Sequence, residues 1–215
     1  MADQLYLSLW YPDFRMSSLG AALIGVMRQF AVIGAVRGLA PRVQAATIYP
    51  ISWNEPPVYQ RIYDEQDADA DEADRSEAAP EYAVPAAVEA LYDDFAYEFE
   101  IAWELWAPSA QQESDIAWQK QPRTVRIVGF GPEFDDGAYA QNGQVRVDFG
   151  LDTPFLQEDV ALDPDAAAHI RENVQQLVEF TNAVQKNCGI ATRLLWSESG
   201  ESLAQKLVAR LQQVN

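Results

Sequence analysis

Alternation of apolar and polar positions marks out most of the strands of this chain. Leu5, Leu7 and Leu9 alternate with Tyr6 and Ser8, the period of two expected when one face of a strand is buried, and Pro12-Asp13 ends the run. Residues 43–53 are rich in β-branched and aromatic side chains. Asn54-Glu55-Pro56-Pro57 then turns the chain, and residues 58–63 return as a hairpin partner. The cleanest alternation comes later: Tyr97, Phe99, Ile101, Trp103 and Leu105 point one way, and Glu98, Glu100, Ala102, Glu104 and Trp106 the other. One face of that strand is predicted to be buried and the other wet, as in an antiparallel sheet. Residues 108–121 read as a polar loop. Residues 123–130 and 144–151 form two further strands, with Gly129, Gly131, Gly137, Asn142 and Gly143 punctuating the hairpin between them, and residues 190–196 form a last one.

Helical signals separate these strands. Ser17 or Ser18 caps a helix predicted from about 18 to 37, closed by Gly38 and Pro41. Pro85 at the first helical position opens a short helix ending near Phe95. Asp163-Pro164-Asp165 combines a capping carboxylate, a proline at the first position and an acid in the first turn. The helix it begins runs to Asn187, with Ile170, Val174, Leu177, Val178 and Val184 at helical spacing, and Cys188-Gly189 stops it. Residues 199–214 form an amphipathic final helix with Leu203, Leu207, Val208 and Leu211 inward.

The predicted order is β-α-β-β, an acidic loop with a short helix, then β-β-β-α-β-α. The fold class is α+β: a mostly antiparallel sheet of about seven strands with the long helices packed on one face. Residues 1–215 are read as a single domain, with 64–83 a mobile acidic loop. A weak pseudo-repeat relates residues 5–63 to 97–197, because a strand, a long helix and a strand recur in both.

Charge changes this picture by its distribution. Residues 62–119 hold seventeen acids and one base, Arg75, and so carry −16 of the formal −18. Such an excess disfavours nucleic-acid phosphate and anionic lipid as partners. The apolar stretch from Leu19 to Val36 is interrupted by Arg28 and Gln29 and reads as a buried helix rather than a membrane span. A single cysteine, Cys188, excludes an internal disulfide framework and a thiolate zinc site. With no basic region after Met1, no secretory signal is expected, and the cytoplasm is the predicted compartment.

No catalytic motif emerges. His169, the lone histidine, reads as a structural or surface residue near Asp165 and Glu172 on its helix. Cys188 lies at the negative end of a helix dipole, which disfavours a thiolate. There is no serine elbow and no Walker lysine, and Gly129-Phe130-Gly131 leads into Pro132-Glu133 instead of a helix. Asp67, Asp69 and Asp71 have the spacing of calcium-loop ligands, but Glu72 and Ala78 stand where glycine and glutamate are required. No cofactor, metal or catalytic residue is therefore assigned. Arg123, Arg126 and Arg146 face solvent or cross-strand acids such as Asp148 or the Glu98–Glu104 face.

Three functional classes fit. The leading one is an acidic, non-enzymatic binding protein that engages a basic protein partner, in the manner of an inhibitor or immunity protein. Acids steer the encounter and aromatic residues anchor it, with Glu98, Glu100, Glu104 and Trp106 as the partner-binding residues. The second is an enzyme or small-ligand protein with a pocket between sheet and helices, its rim near Trp10, Trp53 and Trp196. The third is a structural subunit with no activity of its own.

Overall fold

The computed structural model describes residues 2–33, 42–63, 77–88, 90–112, 115–157 and 163–212. Its centre is a seven-stranded antiparallel sheet. The strands are β1 (Gln4–Trp10), β2 (Val43–Pro50), β3 (Val58–Arg61), β4 (Phe95–Gln112), β5 (Asp115–Phe130), β6 (Val145–Leu151) and β7 (Thr192–Ser197), in the spatial order β3-β2-β4-β5-β6-β1-β7. The helices are α1 (Leu19–Gln29), α2 (Pro80–Ala87), two single turns α3 (Tyr139–Asn142) and α4 (Thr153–Leu156), α5 (Pro164–Asn187) and α6 (Leu203–Gln212). The predicted α+β architecture and its order of major elements are those observed.

The core lies between the sheet and the two long helices. Inward residues Leu5, Leu7 and Leu9 of β1, Phe99, Ile101 and Trp103 of β4, and Val145 and Val147 of β6 are buried against Leu19, Leu23 and Met27 of α1 and Leu177, Phe180 and Val184 of α5. The Phe30 ring joins the two helices to the sheet. It lies 4.1 Å from the Phe180 ring and edge-on to Trp103 at 5.6 Å. Gly129 of β5 permits the close approach of α1, since a Cβ there would lie 2.6 Å from the Leu19 side chain. Asp163 caps α5 as expected, its Oδ1 accepting from the Ala166 amide at 2.8 Å.

Because all neighbouring strands are antiparallel, β1 and β2 run the same way, as do β6 and β7. The β1-α1-β2 crossover spans three strands and the β6-α5-β7 crossover spans one. The two halves thus share an order of elements without sharing a topology.

Several expected boundaries differ. The first long helix, expected to reach about residue 37, ends at Gln29 and tightens into a 3-10 turn over Phe30–Val32, and residues 34–41 lie outside the described residues. The short helix runs from Pro80 to Ala87, with Pro80 at its start and Pro85 inside it. The acidic segment is therefore structured at its end: Glu77 bridges Tyr63 and Ala78 bridges Val43, while residues 64–76 of the expected loop lie outside the described residues. Most of the 108–121 segment is not a loop. It extends β4 and β5 into a two-stranded ribbon, with Trp106 opposite Lys120 and Pro108 opposite Trp118. Neither neighbouring strand follows it, because β2 pairs with β4 only as far as Ile101 and β6 meets β5 no earlier than Arg126.

Helix α5 takes the place of the missing strand along β4. Asn173, with no exposed surface, accepts from the Trp106 amide at 2.9 Å and donates to the Trp106 and Pro154 carbonyls at 2.9 and 2.8 Å. Its side-chain amide satisfies a strand edge as a neighbouring peptide would. One turn on, Gln176 accepts from the Trp103 indole at 3.2 Å. These polar contacts rotate the buried stripe of α5 from the expected one, so that Asn173 and Gln176 are buried and Val178 is exposed.

Replacing Asn173 by Ala strands a buried N–H and two carbonyls. The variant should lose about 3 kcal/mol in urea unfolding, and its Trp106 amide should exchange with solvent faster than those of β1. A loss under about 0.5 kcal/mol would show that the edge is satisfied some other way.

Candidate partner-binding surface

The sheet face opposite the helices carries the predicted site. By cross-strand register, Glu100 of β4 lies between Ala45 of β2 and Arg126 of β5, which in turn faces Asp148 of β6, opposite Tyr6 of β1. The next row runs from Thr47 through Glu98 and Val128 to Arg146 and Ser8. The expected cross-strand pairing of arginine with acid is present: Arg126 Nε lies 3.1 Å from Glu100 Oε1 and 3.8 Å from Glu98 Oε1.

Glu98 is not on a wet face. It is only 8% exposed, under Tyr49, whose hydroxyl donates to its Oε1 at 3.4 Å. Burial pushes the Glu98 carboxyl above its ordinary value, and the nearby Arg126 charge offsets this only in part. The Arg126 guanidinium is itself raised: burial disfavours its charge, but the hydrogen bond to Glu100 and the Glu98 carboxylate outweigh that.

A second apolar cluster explains the burial. Ala96, Val128, Phe130 and Phe134 pack on this face with Tyr49 and Tyr139. Trp53, from the turn after β2, covers them edge-on, 5.1 Å from Phe134 and 4.8 Å from Tyr49. Arg146 completes the cover. Its guanidinium sits over the Tyr6, Phe130 and Trp53 rings at 5.0, 5.3 and 5.7 Å and donates to Asn142 Oδ1 at 3.0 Å.

Glu104 and Trp106 lie apart from this group, on the ribbon, about 20 and 26 Å along β4 from Glu98. Glu104 is exposed, opposite Pro122. Trp106 is half-buried, and its wet placement is corrected by α5. Its ring lies 4.1 Å from His169, which also stacks on Trp118 at 5.2 Å, and Lys120 approaches its face at 5.4 Å. Lys120 in turn pairs with Glu172 at 3.0 Å. Burial opposes the charge on Glu172, but the Lys120 hydrogen bond and charge hold its carboxyl below the ordinary range. His169 is thus a packing residue between two tryptophans, bound to neither Asp165 nor Glu172 in the way its sequence spacing suggested.

The four predicted residues therefore do not converge. Glu98 and Glu100 belong to a pairing network with Arg126, Trp106 packs against α5, and Glu104 alone is exposed acid. Sequence reasoning missed Trp53 as a cover, Tyr49 as a partner of Glu98 and Asn173 as an edge cap. Of these only Trp53 left a signal, a large aromatic directly before a turn.

Elsewhere, burial raises the Cys188 thiol to about 11, which suits an inert packing residue. Among the described residues no three His, Cys, Asp or Glu side chains are placed to hold a metal ion, and no helix is long and apolar enough to cross a membrane. Comparison with protein families, curated proteins and solved structures gives no match.

Cavities of about 290 and 280 Å³ flank β3. One is lined by Tyr59, Arg61, Tyr63, Glu77 and Glu100, the other by Ile48, Ala86, Ala87, Tyr92 and Phe95.

A carboxyl that titrates higher in the folded state favours folding when protonated. Stability should therefore fall as pH rises from the ordinary value of 4.5 through the raised folded value of Glu98. Glu98→Gln stays neutral and should lack this component. In urea unfolding at a series of pH values, the variant's stability relative to the parent should rise across that window. A flat or falling difference would mean that Glu98 ionises as easily folded as unfolded.

Proposed function

We propose that this is a non-enzymatic binding protein that engages a basic protein partner, as inhibitors and immunity-type proteins do. The observation that carries the reading is where the acidic run is tethered. Residues 64–76 hold seven acids and Arg75, and both flanks of the run are fixed at one end of the sheet by the Tyr63–Glu77 bridge. Glu98 and Glu100 are paired with Arg126, so the steering charge is assigned to the run whose flanks are Tyr63 and Glu77. Exposed aromatic and aliphatic side chains lie along the same edge of the sheet: Tyr59 within β3, and Val58, Ile51, Trp53 and Tyr92 toward the β2–β3 turn. Acid for steering beside aromatic anchors is a workable interface composition.

A small-ligand reading draws on the two cavities flanking β3. Their volumes fall just below the roughly 300–1,000 Å³ of typical small-molecule sites. They are of a size to take single side chains of a larger partner, which favours the binding-protein reading.

The test measures association with proteins of pI above about 9 by stopped flow at several salt concentrations. The on-rate should fall at least tenfold between about 0.02 and 0.2 M salt. Deleting residues 65–75, whose flanks stay paired, should remove most of that dependence and leave the melting temperature unchanged. An on-rate indifferent to salt, or to the deletion, would rule the reading out.

A further inference from the structure

We infer that the outer edge of β7 joins two copies of this chain, antiparallel about a two-fold axis at Leu194. The inference is independent of the basic-partner reading and concerns the opposite edge of the sheet. β7 ends the sheet: it pairs with β1 on one side and with no described strand on the other. The bonding direction of β1 fixes that of β7. The Asp3 and Tyr11 amides donate to Asp152 and Gln144, toward β6, whereas the Gln4 carbonyl accepts from the Glu198 amide just past β7. Bonding direction alternates along an antiparallel ladder, so Tyr6, Ser8 and Trp10 bond to Trp196, Leu194 and Thr192. The N–H and C=O groups of Arg193 and Leu195 therefore turn outward, and none of the described hydrogen bonds takes them up. At Ser197 the edge closes, because its carbonyl accepts from the Gly200 amide at 2.9 Å.

These open groups, on two alternate residues, select a second copy and its register. With the axis at Leu194, Arg193 of each copy lies opposite Leu195 of the other, and every open group finds a partner. An axis at Leu195 would set Arg193 against Ser197, whose carbonyl is already engaged. An axis at Arg193 would set two like charges directly opposite. Natural edges are commonly blunted by shortness, proline, lysine or a bulge. β7 has six residues, no proline and no register shift against β1, and Arg193 is its one charge.

Side chains and charge agree with this register. Leu194 is 53% and Leu195 38% exposed. Leu194 lies on the open face beside Trp196, whose indole donates to Ser8 Oγ at 3.0 Å. Across the axis the two Leu194 side chains would form a non-hydrogen-bonded pair, the closer kind. On the helix side Leu195 would cover the stem of the other copy's Arg193, whose guanidinium is turned onto α5 by Asn182 at 3.1 Å. The residues outside 62–119 carry only −2 of the formal −18. β7 also lies six strand positions from β3, about 29 Å. The joined sheet thus keeps the two acidic runs, whose flanks are Tyr63 and Glu77, at its far ends.

The test is sedimentation equilibrium of the full chain from about 20 µM to about 1 mM. A strand seam buries less than the roughly 1,200 Å² of a standard interface, so the dimer should form within this range and not below it. Its affinity should rise with salt, since screening weakens the repulsion between two acidic chains. Exchange of the Arg193 and Leu195 amides should slow about tenfold from the lowest to the highest concentration. Leu194→Lys, which sets two like charges on the axis, should weaken the dimer about tenfold or more and leave the circular dichroism unchanged. For the register, single cysteines are placed in a Cys188→Ala background. Leu194→Cys should give a disulfide-linked dimer under mild oxidation, and Leu195→Cys, whose copies lie too far apart to bridge, should not.

A chain that is monomeric at about 1 mM overturns the inference. So does a dimer that Leu194→Lys leaves intact, because its seam then lies elsewhere. A dimer that Leu195→Cys links and Leu194→Cys does not overturns the axis at Leu194. None of these outcomes touches the basic-partner reading, which is decided by association with a second protein.

Discussion

The long helices of this protein cover only one face of its sheet, and the arrangement of its polar residues follows from that constraint. A central strand of a seven-stranded sheet is crowded on both faces whether or not a helix lies over it. On the helix side β4 is filled by Phe99, Ile101 and Trp103. On the other side the protein has side chains of the strands themselves, the turn after β2 and the connection between β5 and β6, which brings Phe134 and Tyr139. Glu98 and Glu100 must then find partners laterally, and Arg126 on the next strand supplies them. Trp53 and Arg146 close over the remaining apolar surface as a thin lid. Glu98 and Glu100, two of the acids that look available in sequence, are in this way consumed by folding.

The same accounting governs the ribbon. Beyond Ile101, β4 has lost β2, and its backbone groups need another partner. Asn173 supplies one from a helix, which is why a polar residue sits at the centre of the buried stripe of α5. The ribbon is thereby held on α5, and Trp106 and Trp118 pack around His169. A position that looks like an exposed anchor becomes structural. The β2–β3 edge carries the short strand β3, the two cavities and the flanks of the acidic run.

The fold was largely legible because its strands are locally patterned. Leu5, Leu7 and Leu9, and the ten-residue alternation from Tyr97 to Trp106, announce one-sided burial directly. Asp163-Pro164 announces the start of α5 with equal clarity. The ribbon was not legible, since a two-stranded element supported by a helix edge needs no apolar alternation, and Gln, Ser and Pro there resemble a loop. The stripe of α5 misled for a related reason: periodicity counts Val178 as core and cannot foresee that Asn173 is required by a strand distant in sequence. For the site, alternation assigned faces correctly to Glu98 and Glu100. It could not tell a solvated face from one covered by a tryptophan from another element. Pairing across strands, which decides whether an acid is available, is a property of register and not of composition.

In the function proposed, the outward-acting negative charge lies at the β2–β3 edge, while the acids of the Glu98–Glu100–Asp148 face are largely offset by Arg126 and Arg146. The most direct measurement compares paramagnetic relaxation of backbone amides by a cationic and a neutral nitroxide in dilute buffer. The cationic probe should be enriched over the neutral one most strongly around residues 58–63 and 77, and little around 98–100, 126 and 146–148. Strongest enrichment along 98–106 would contradict the account and return the charge to the strand face from which sequence alone would read it.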